Sequence, residues 1–371
     1  MSTQPQKNNS RPFLGAFGKA SLAAVVMGVL AMPAIADDIH VAASIRPLHS
    51  LVEMVLGDQG EAVLLVDGNM TPHNITLRPS DRLQLAKADL VFLIDDNFAP
   101  ILAKTVADPS RKVLMAEADG LMKHKRRTSE YFGHGDHGHD DHDDHEKHDD
   151  HGHDDHGHDD HGHGDHGHDD HDDHGHDDHG HNDHDDHDDH GHDDHGHSHA
   201  YGEFDLHFWL DAKNAMAMVN LIESRLSARY PNHADAFAQN KEQALKNLQA
   251  LDANISDQVK PFKNLGLIVY HDAYTYFEEA YGLNVKTTVL DHHDASSGVN
   301  RIQMIRHLVD HGEVSCLAHE PQFNAKILTT IDPGQKLTRI EMDPIGVAYP
   351  AGAGQYGEMM QGLVNSLMQC R

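Results

Sequence analysis

Basic residues are scarce in this chain, cysteine and tryptophan are nearly absent, and no apolar run is long enough to span a membrane. There are 29 Lys and Arg against 60 Asp and Glu, a formal charge of -31. So acidic a chain has no broad basic surface for nucleic acid. The longest apolar stretch, "LAAVVMGVLAMPAIA", contains Pro33 and falls short of the ~20 residues a spanning helix needs. It follows Lys7, Arg11 and Lys19, no acid precedes Asp37, and it ends in the A-x-A pattern Ala34-Ile35-Ala36. The expectation is a signal peptide over residues 1–36, export, and a soluble mature protein. No Cys lies near the cleavage point, which argues against a lipid anchor there.

The two cysteines are Cys316 and Cys370. In an exported chain an even pair reads as a disulfide. It would close a loop of about 54 residues, worth on the order of 4 kcal/mol in the chain-entropy model. Also missing is any H-E-x-x-H pattern. A zinc hydrolase needs a general base beside its metal, and nothing of that kind is written here.

Histidine is what the chain has in excess. Of 38 His, 26 fall between His134 and His199, together with 26 of the 60 acidic residues and a single Lys. Most of the negative charge is therefore local. The commonest unit is His-Gly-His-Asp-Asp, as in His151, His153, His156, His158, His161 and His163. Recurrent Gly and Asp suit neither helices nor strands, and with almost no apolar side chain the segment cannot offset its ordering entropy by burial. Closely spaced imidazoles on a flexible chain close around borderline cations such as Zn, Cu, Ni and Co. Binding there should be multiple, labile and lost as pH falls through about 6 to 7. Without fixed geometry, the tract alone makes no selective site.

The remaining chain alternates short apolar runs with helical patterns. "IHVAAS", "AVLLVD", "DLVFLID" and "KVLMA" read as strands before the tract, and "LGLIVY", "VKTTVL", "VSCLAHE" and "LTRIEMD" after it. Between them, "PLHSLVEMVLG" is helical and "PSDRLQLAKA" is expected to start on Ser80 as N-cap. A helix is predicted from about Asp211 to Tyr230, broken by Pro231. A second, about 40 Å long, runs from about Asn232 to Gln258, with an apolar stripe of Phe237, Ala244, Leu248, Leu251 and Ile255. The fold class is α/β: two lobes, each with a mostly parallel sheet flanked by helices, bridged by a long rigid helix.

Several histidines outside the tract could form a fixed site. His73 lies in the Gly/Asn/Pro loop "DGNMTPHNITLRPSD" after a strand, His207 in "YGEFDLHFWLDAKNA" just before a helix, and His271 directly after the strand of "LGLIVYHDAYTYFEE". Ligands of open α/β sheets collect beyond the carboxyl ends of strands, which suits His73, His271 and also Asp343 of "LTRIEMDPIG". Three imidazoles with a water or a carboxylate make a four-coordinate zinc site. His292 and His293, in "TVLDHHDASSG", could approach the cleft on a mobile loop, and His319 also lies near a strand end. His40, His49, His124, His233, His307 and His311 read as structural, and Glu278 and Glu279 as the exposed face of a helix. Spacing does not choose among these. The residues alone reach an exported two-lobed α/β protein that handles a divalent metal.

The stretches "GNMTPHNITLRPSDRLQLAKADLVF", "DLHFWLDAKNA", "VYHDAYTYFEEAYGL" and "AHEPQF", in this order and spread over nearly the whole mature chain, resemble the periplasmic zinc-binding proteins of ABC-type zinc uptake systems. The resemblance implies three His ligands at His73, His207 and His271, a disulfide between Cys316 and Cys370, and no enzymatic activity. Some members place a Glu just before the first His; Pro72 stands here, so the fourth ligand is a water or Asp343. Manganese- and iron-binding cousins replace one His by Glu, whereas His271 keeps an imidazole-rich shell that favours zinc. The implied partner is a membrane permease with its cytoplasmic ATPase, and the expected form is a monomer without a stable membrane anchor. The implied organisation is an N-terminal lobe over 37–133, the His-rich loop over 134–199, the end of that lobe over 200–231, a linking helix over 232–260 and a C-terminal lobe over 261–371. The rival is a periplasmic metal buffer in which the tract is the main binding element.

Overall fold

A computed structural model describes residues 38–127, 202–290 and 299–370, apart from 69, 70, 72, 74 and 325. The expected signal peptide, the tract from His134 to His199, and His292 and His293 lie outside the described residues. In the first lobe, β1 (Val41–Ala43), α1 (Arg46–Leu56), β2 (Ala62–Leu64), α2 (Pro79–Lys87), β3 (Leu90–Leu93), α3 (Pro100–Thr105) and β4 (Lys112–Leu114) follow in order. Next come α4 (Ala212–Arg229) and α5 (Ala234–Val259). The second lobe holds β5 (Gly266–Val269), α6 (Thr275–Tyr281), β6 (Asn284–Thr288), α7 (Val299–Asp310), β7 (Cys316–His319), α8 (Lys326–Ile331), β8 (Thr338–Glu341) and α9 (Gln355–Leu367).

Seven of the eight strands fall inside the apolar runs that predicted them, and β6 begins one residue before its run, at Asn284. Every described pairing within the two sheets is parallel, in the orders β2-β1-β3-β4 and β6-β5-β7-β8. The two sheets thus repeat one winding, and in each the chain changes direction between its first and third strands. Such reversals open a crevice at the carboxyl ends of the strands. One detail differs from expectation. Helix α2 begins at Pro79, and Arg78 caps it: the Arg78 N–H donates to Asp81 Oδ2 at 2.8 Å, so Ser80 lies inside the first turn. Proline at that first position lacks an N–H the helix would not have used.

Helix α5 would extend about 39 Å at 1.5 Å per residue, and its two halves serve different lobes. Near its start Asn240 Nδ2 donates to the Val55 carbonyl of α1 at 3.0 Å, and Lys241 pairs with Glu223 of α4 at 2.9 Å. Near its end Asp252 accepts from Tyr281 OH of α6 at 3.1 Å, and Gln258 meets Gln361 of α9. Phe237, Ala244, Leu248, Ile255 and Val259 form its buried stripe. The lobes also meet without α5. Ser50 of α1 donates to the Ala353 carbonyl and accepts from Tyr356 N, and Arg46 donates to the Tyr349 carbonyl. One apolar core runs through both lobes, and a smaller one lies in the second lobe around Ile268, Ile305, Leu317 and Ile331.

Candidate metal centre

Histidines 73, 207 and 271 arrive at one point from three separate segments. His73 sits on the connection from β2 to α2, half-buried, with its ring edge-on to buried Phe98 at 4.8 Å. His207 immediately precedes a single turn, Phe208–Leu210, that leads into α4. His271 lies two residues past the end of β5. Ring centroids are 5.3 Å apart for His73 and His207, 5.4 Å for His207 and His271, and 6.0 Å for His73 and His271. One nitrogen from each ring lies within 4.8 Å of the other two. Among the described residues no other group of three His, Cys, Asp or Glu side chains comes so close.

Two carboxylates stand behind these rings. Asp205 Oδ1 meets His207 Nδ1 at 2.7 Å and also accepts the His207 backbone N–H at 3.0 Å. Glu320, immediately after β7, meets His271 Nδ1 at 2.6 Å. Both acids are buried, at 4% and 3% exposure. Strands β5 and β7 are neighbours at the chain reversal of the second sheet, so backbone pairing delivers His271 and Glu320 side by side. Burial pushes the Asp205 pKa up, but the charge and hydrogen bonds of His207 more than offset this and hold it below the usual carboxylate range. With Nδ1 held by a carboxylate, each of these two rings offers Nε2 to the cluster. This is the second layer that fixes tautomer and orientation at metal-ligating histidines.

The free space is small. His73, His207 and His271 share it with Thr71, Trp209, Gln322, Phe323, Pro344 and Ile345, leaving about 10 Å³ for a water-sized sphere. That is room for one ion or one water. Trp209 Nε1 donates to the Pro344 carbonyl at 2.8 Å, so the cleft floor is stitched across the lobes. The donor set fits a borderline dication: three imidazoles would bind it once unprotonated, and the two buried carboxylates behind them would balance its charge.

Asp343 stands apart from the cluster. Its Oδ1 accepts from Gln322 Nε2 at 2.8 Å and Ile345 N at 3.1 Å, and its Oδ2 accepts from Val347 N at 2.6 Å. The carboxylate is spent closing the turn after β8, and the backbone it holds, at Pro344 and Ile345, lines the cleft in its stead. Glu278 also departs from expectation. It is largely buried, and its Oε2 accepts from Arg127 Nη1 at 2.5 Å. His49 is buried with Nε2 against the Ala62 carbonyl at 2.9 Å, and His233 meets Gln59 at 2.8 Å, the structural roles expected of them. His319 ends β7 outside the cluster. Asp205 and Glu320 escaped the sequence reading, although each stands in a stretch already singled out, "DLHFWL" and "AHEPQF". Cys316 and Cys370 are joined, with Cα atoms 5.8 Å apart, tying the end of α9 to β7.

Residues 41–370 match the family model described as "Zinc-uptake complex component A periplasmic". The chain is 33% identical over 361 residues to the high-affinity zinc uptake system protein ZnuA of Brucella abortus, covering 96% of each. A crystal structure of ZnuA superposes with a TM-score of 0.61 at 16% identity, covering 89% of this chain and 100% of that one. FpvC from Pseudomonas aeruginosa, in complex with Mn2+, superposes with a TM-score of 0.63 at 15% identity, covering 90% and 99%. At such low identity, the two structures speak for the fold alone. The family is one of solute-binding proteins, not of enzymes. This chain belongs to the family of periplasmic zinc-uptake components.

Proposed function

We propose that the protein captures a zinc ion between its lobes, on one nitrogen each of His73, His207 and His271 with a water in the fourth position, and delivers it to the permease of an ABC-type uptake system. The observation that carries this reading is the convergence of three imidazoles within 4.8 Å, two of them backed by buried carboxylates. Relatives that match along almost their whole length are named as high-affinity zinc uptake proteins. An all-imidazole donor set favours zinc over magnesium, calcium or manganese, which prefer carboxylate and carbonyl oxygen. No bond in the cargo is made or broken, so the protein has only to bind, orient and release. His207 and His271 are held ready by Asp205 and Glu320, and the indole of Trp209 helps exclude bulk water from one side. The cage between α1, α5 and α9 restricts the lobes to small relative movement, since no loop hinge separates them there.

Export would precede this, with cleavage near Ala36, placing the mature chain in the periplasm. Among the described residues no helix is long and apolar enough to cross a membrane. The His-rich tract would act as an accessory collector. Its two roots support that role by their position: Arg126 N donates to the Glu203 carbonyl at 3.1 Å and Asp205 N to the His124 carbonyl at 3.0 Å. The described segments before and after the tract are thus paired to each other just ahead of His207. Tethering of this kind keeps metal held by the loop at an effective concentration in the millimolar range.

The test is a zinc titration near pH 7.4 against a chelator of known affinity. It compares the full chain, a chain lacking residues 134–199, and His271→Ala. One tight site should survive the deletion and vanish with His271→Ala. A tight site that disappears with the tract would instead make the protein a metal buffer.

A further inference from the structure

The end of helix α7 and the residue that follows it carry a second pair of imidazoles that the cleft does not use. His307 and His311 lie one turn apart, both exposed, with ring centroids 3.9 Å apart. His311 Nδ1 lies 2.9 Å from the His307 carbonyl oxygen. A carbonyl only accepts, so this contact requires the proton on Nδ1 and leaves Nε2 of His311 as the basic nitrogen. A backbone carbonyl fixes the tautomer of many metal-binding histidines in the same way.

The location on the helix favours a cation. The pair lies at the carboxyl end of α7, where unsatisfied carbonyls concentrate negative potential. The helix stops there because Gly312 adopts φ +70°, and its N–H turns back to the Val309 carbonyl at 3.2 Å. Asp310 stands between the two rings in sequence, but Lys336 engages its carboxylate at 2.6 Å, so that pair adds no net charge. Two metal–nitrogen bonds of about 2.0 to 2.1 Å at a tetrahedral angle need nitrogens roughly 3.3 Å apart. The two rings already face one another on neighbouring turns, with centroids 3.9 Å apart, and side-chain rotations that splay them would aim one nitrogen of each at a shared ion.

We infer that His307 and His311 form a second, exposed site for a borderline divalent cation, chelated by two imidazoles and completed by water. With two protein ligands it should be weaker than the cleft and follow the general order in which copper and nickel exceed cobalt. It is also separate from the cleft. The carboxyl end of α7 leads into the amino end of β7, whereas Glu320 and His271 lie beyond the carboxyl ends of β7 and β5. The site therefore stands at the opposite end of the second lobe's sheet and does not depend on the reading given to the cleft.

Metal-dependent protection from diethyl pyrocarbonate, read peptide by peptide on the full chain, tests this. Free nickel(II) is buffered by a chelator, so uptake by the His-rich tract does not change its concentration. His307 and His311 should become protected together. In His307→Ala, protection of His311 should need about tenfold more free nickel, the loss expected when a second tethered ligand is removed. His40, exposed on the first lobe, is the reference for a single histidine. Protection of His311 that is unchanged in His307→Ala, or no better than that of His40, overturns the proposal. Alanine is the better helix former and the position is exposed, so the variant keeps its fold.

Discussion

Arg127, the last described residue before the His-rich tract, grips Asp272, the residue that follows His271, with Nε 3.0 and 3.3 Å from the two carboxylate oxygens. The same guanidinium reaches Glu278 on α6. Its side chain is 7% exposed, and those of Asp272 and Glu278 are 19% and 15%. Burial would lower the Arg127 pKa, but the facing Asp272 and Glu278 raise it, so the charge is kept. This contact crosses the lobes and ties the root of the tract to the backbone that presents His271. Removing one partner of a buried pair leaves the other uncompensated, at a cost of about 3 to 5 kcal/mol. Arg127→Ala should therefore lower the urea midpoint strongly and weaken zinc binding at the cleft, although Arg127 touches no metal. A midpoint and a zinc affinity both unchanged would show that the clamp holds nothing.

Asp205 and Glu320 set up a second expectation. Asp205→Asn and Glu320→Gln keep shape while removing the charge that holds Nδ1 of His207 and His271. An amide can present either its oxygen or its nitrogen to the ring, so the tautomer is no longer enforced. Losses at such positions are typically 10- to 100-fold in metal affinity. Chelator competition on the chain lacking residues 134–199 would measure this without interference from the tract. Equal affinity in both variants and the parent would mean that neither carboxylate orients its ring.

The strands were legible because each is a short β-branched or Leu-rich run between turn residues, and the central ones, such as β1, β3 and β5, are buried along their whole length. The three histidines were legible as loop and strand-end residues, but only the fold brings them together. Asp205 and Glu320 were not: Asp205 meets His207 through a local turn of the chain that periodicity does not reveal, and Glu320 meets His271 only because β5 and β7 pair. Glu278 failed for a related reason: its partner, Arg127, is 151 positions away in sequence. Asp343 stayed open in the sequence because a strand-end carboxylate suits a ligand and a turn cap equally well. Periodicity finds elements; it does not find contacts between distant segments.

Asp343 gives the third prediction. Its three hydrogen bonds hold the turn that carries Pro344 and Ile345, and Gly346 inside that turn has φ +65°. Asp343→Ala strips acceptors from two backbone N–H groups at a cost of about 1 to 3 kcal/mol. Zinc affinity should fall far less than in His271→Ala, because only the cleft wall is loosened. An affinity loss as large as that of His271→Ala would restore Asp343 to the ligand set.

Acid should act in two stages. Imidazoles bind metal only when neutral, so zinc is lost as pH falls through and below about 6 to 7. The Asp205 carboxylate has its pKa lowered in the folded state by His207. Its stabilising contribution is complete above the unfolded value of about 3.9 and is lost only as pH falls through the lower folded one. Zinc release, followed by equilibrium dialysis, should therefore precede unfolding followed by circular dichroism. Coincident transitions would mean that the metal, and not the Asp205–His207 pair, holds the fold together in acid.

The disulfide should matter to folding and little to the site. Cys316 opens β7, the strand that ends beside Glu320, and Cys370 follows α9. Replacing both by Ala releases a closed loop of 54 residues, a loss of about 4 kcal/mol if the link acts mainly on the unfolded chain. In the folded state β7 remains paired with β5 and β8, and α9 stays docked through Tyr356 OH on the Trp209 carbonyl at 2.8 Å. Glu320 and His271 keep their places, so the zinc affinity of the double variant should stay within about threefold of the parent. The check is urea denaturation beside a chelator competition. A large drop in affinity with little loss of stability would mean that the link sets the geometry of the cleft.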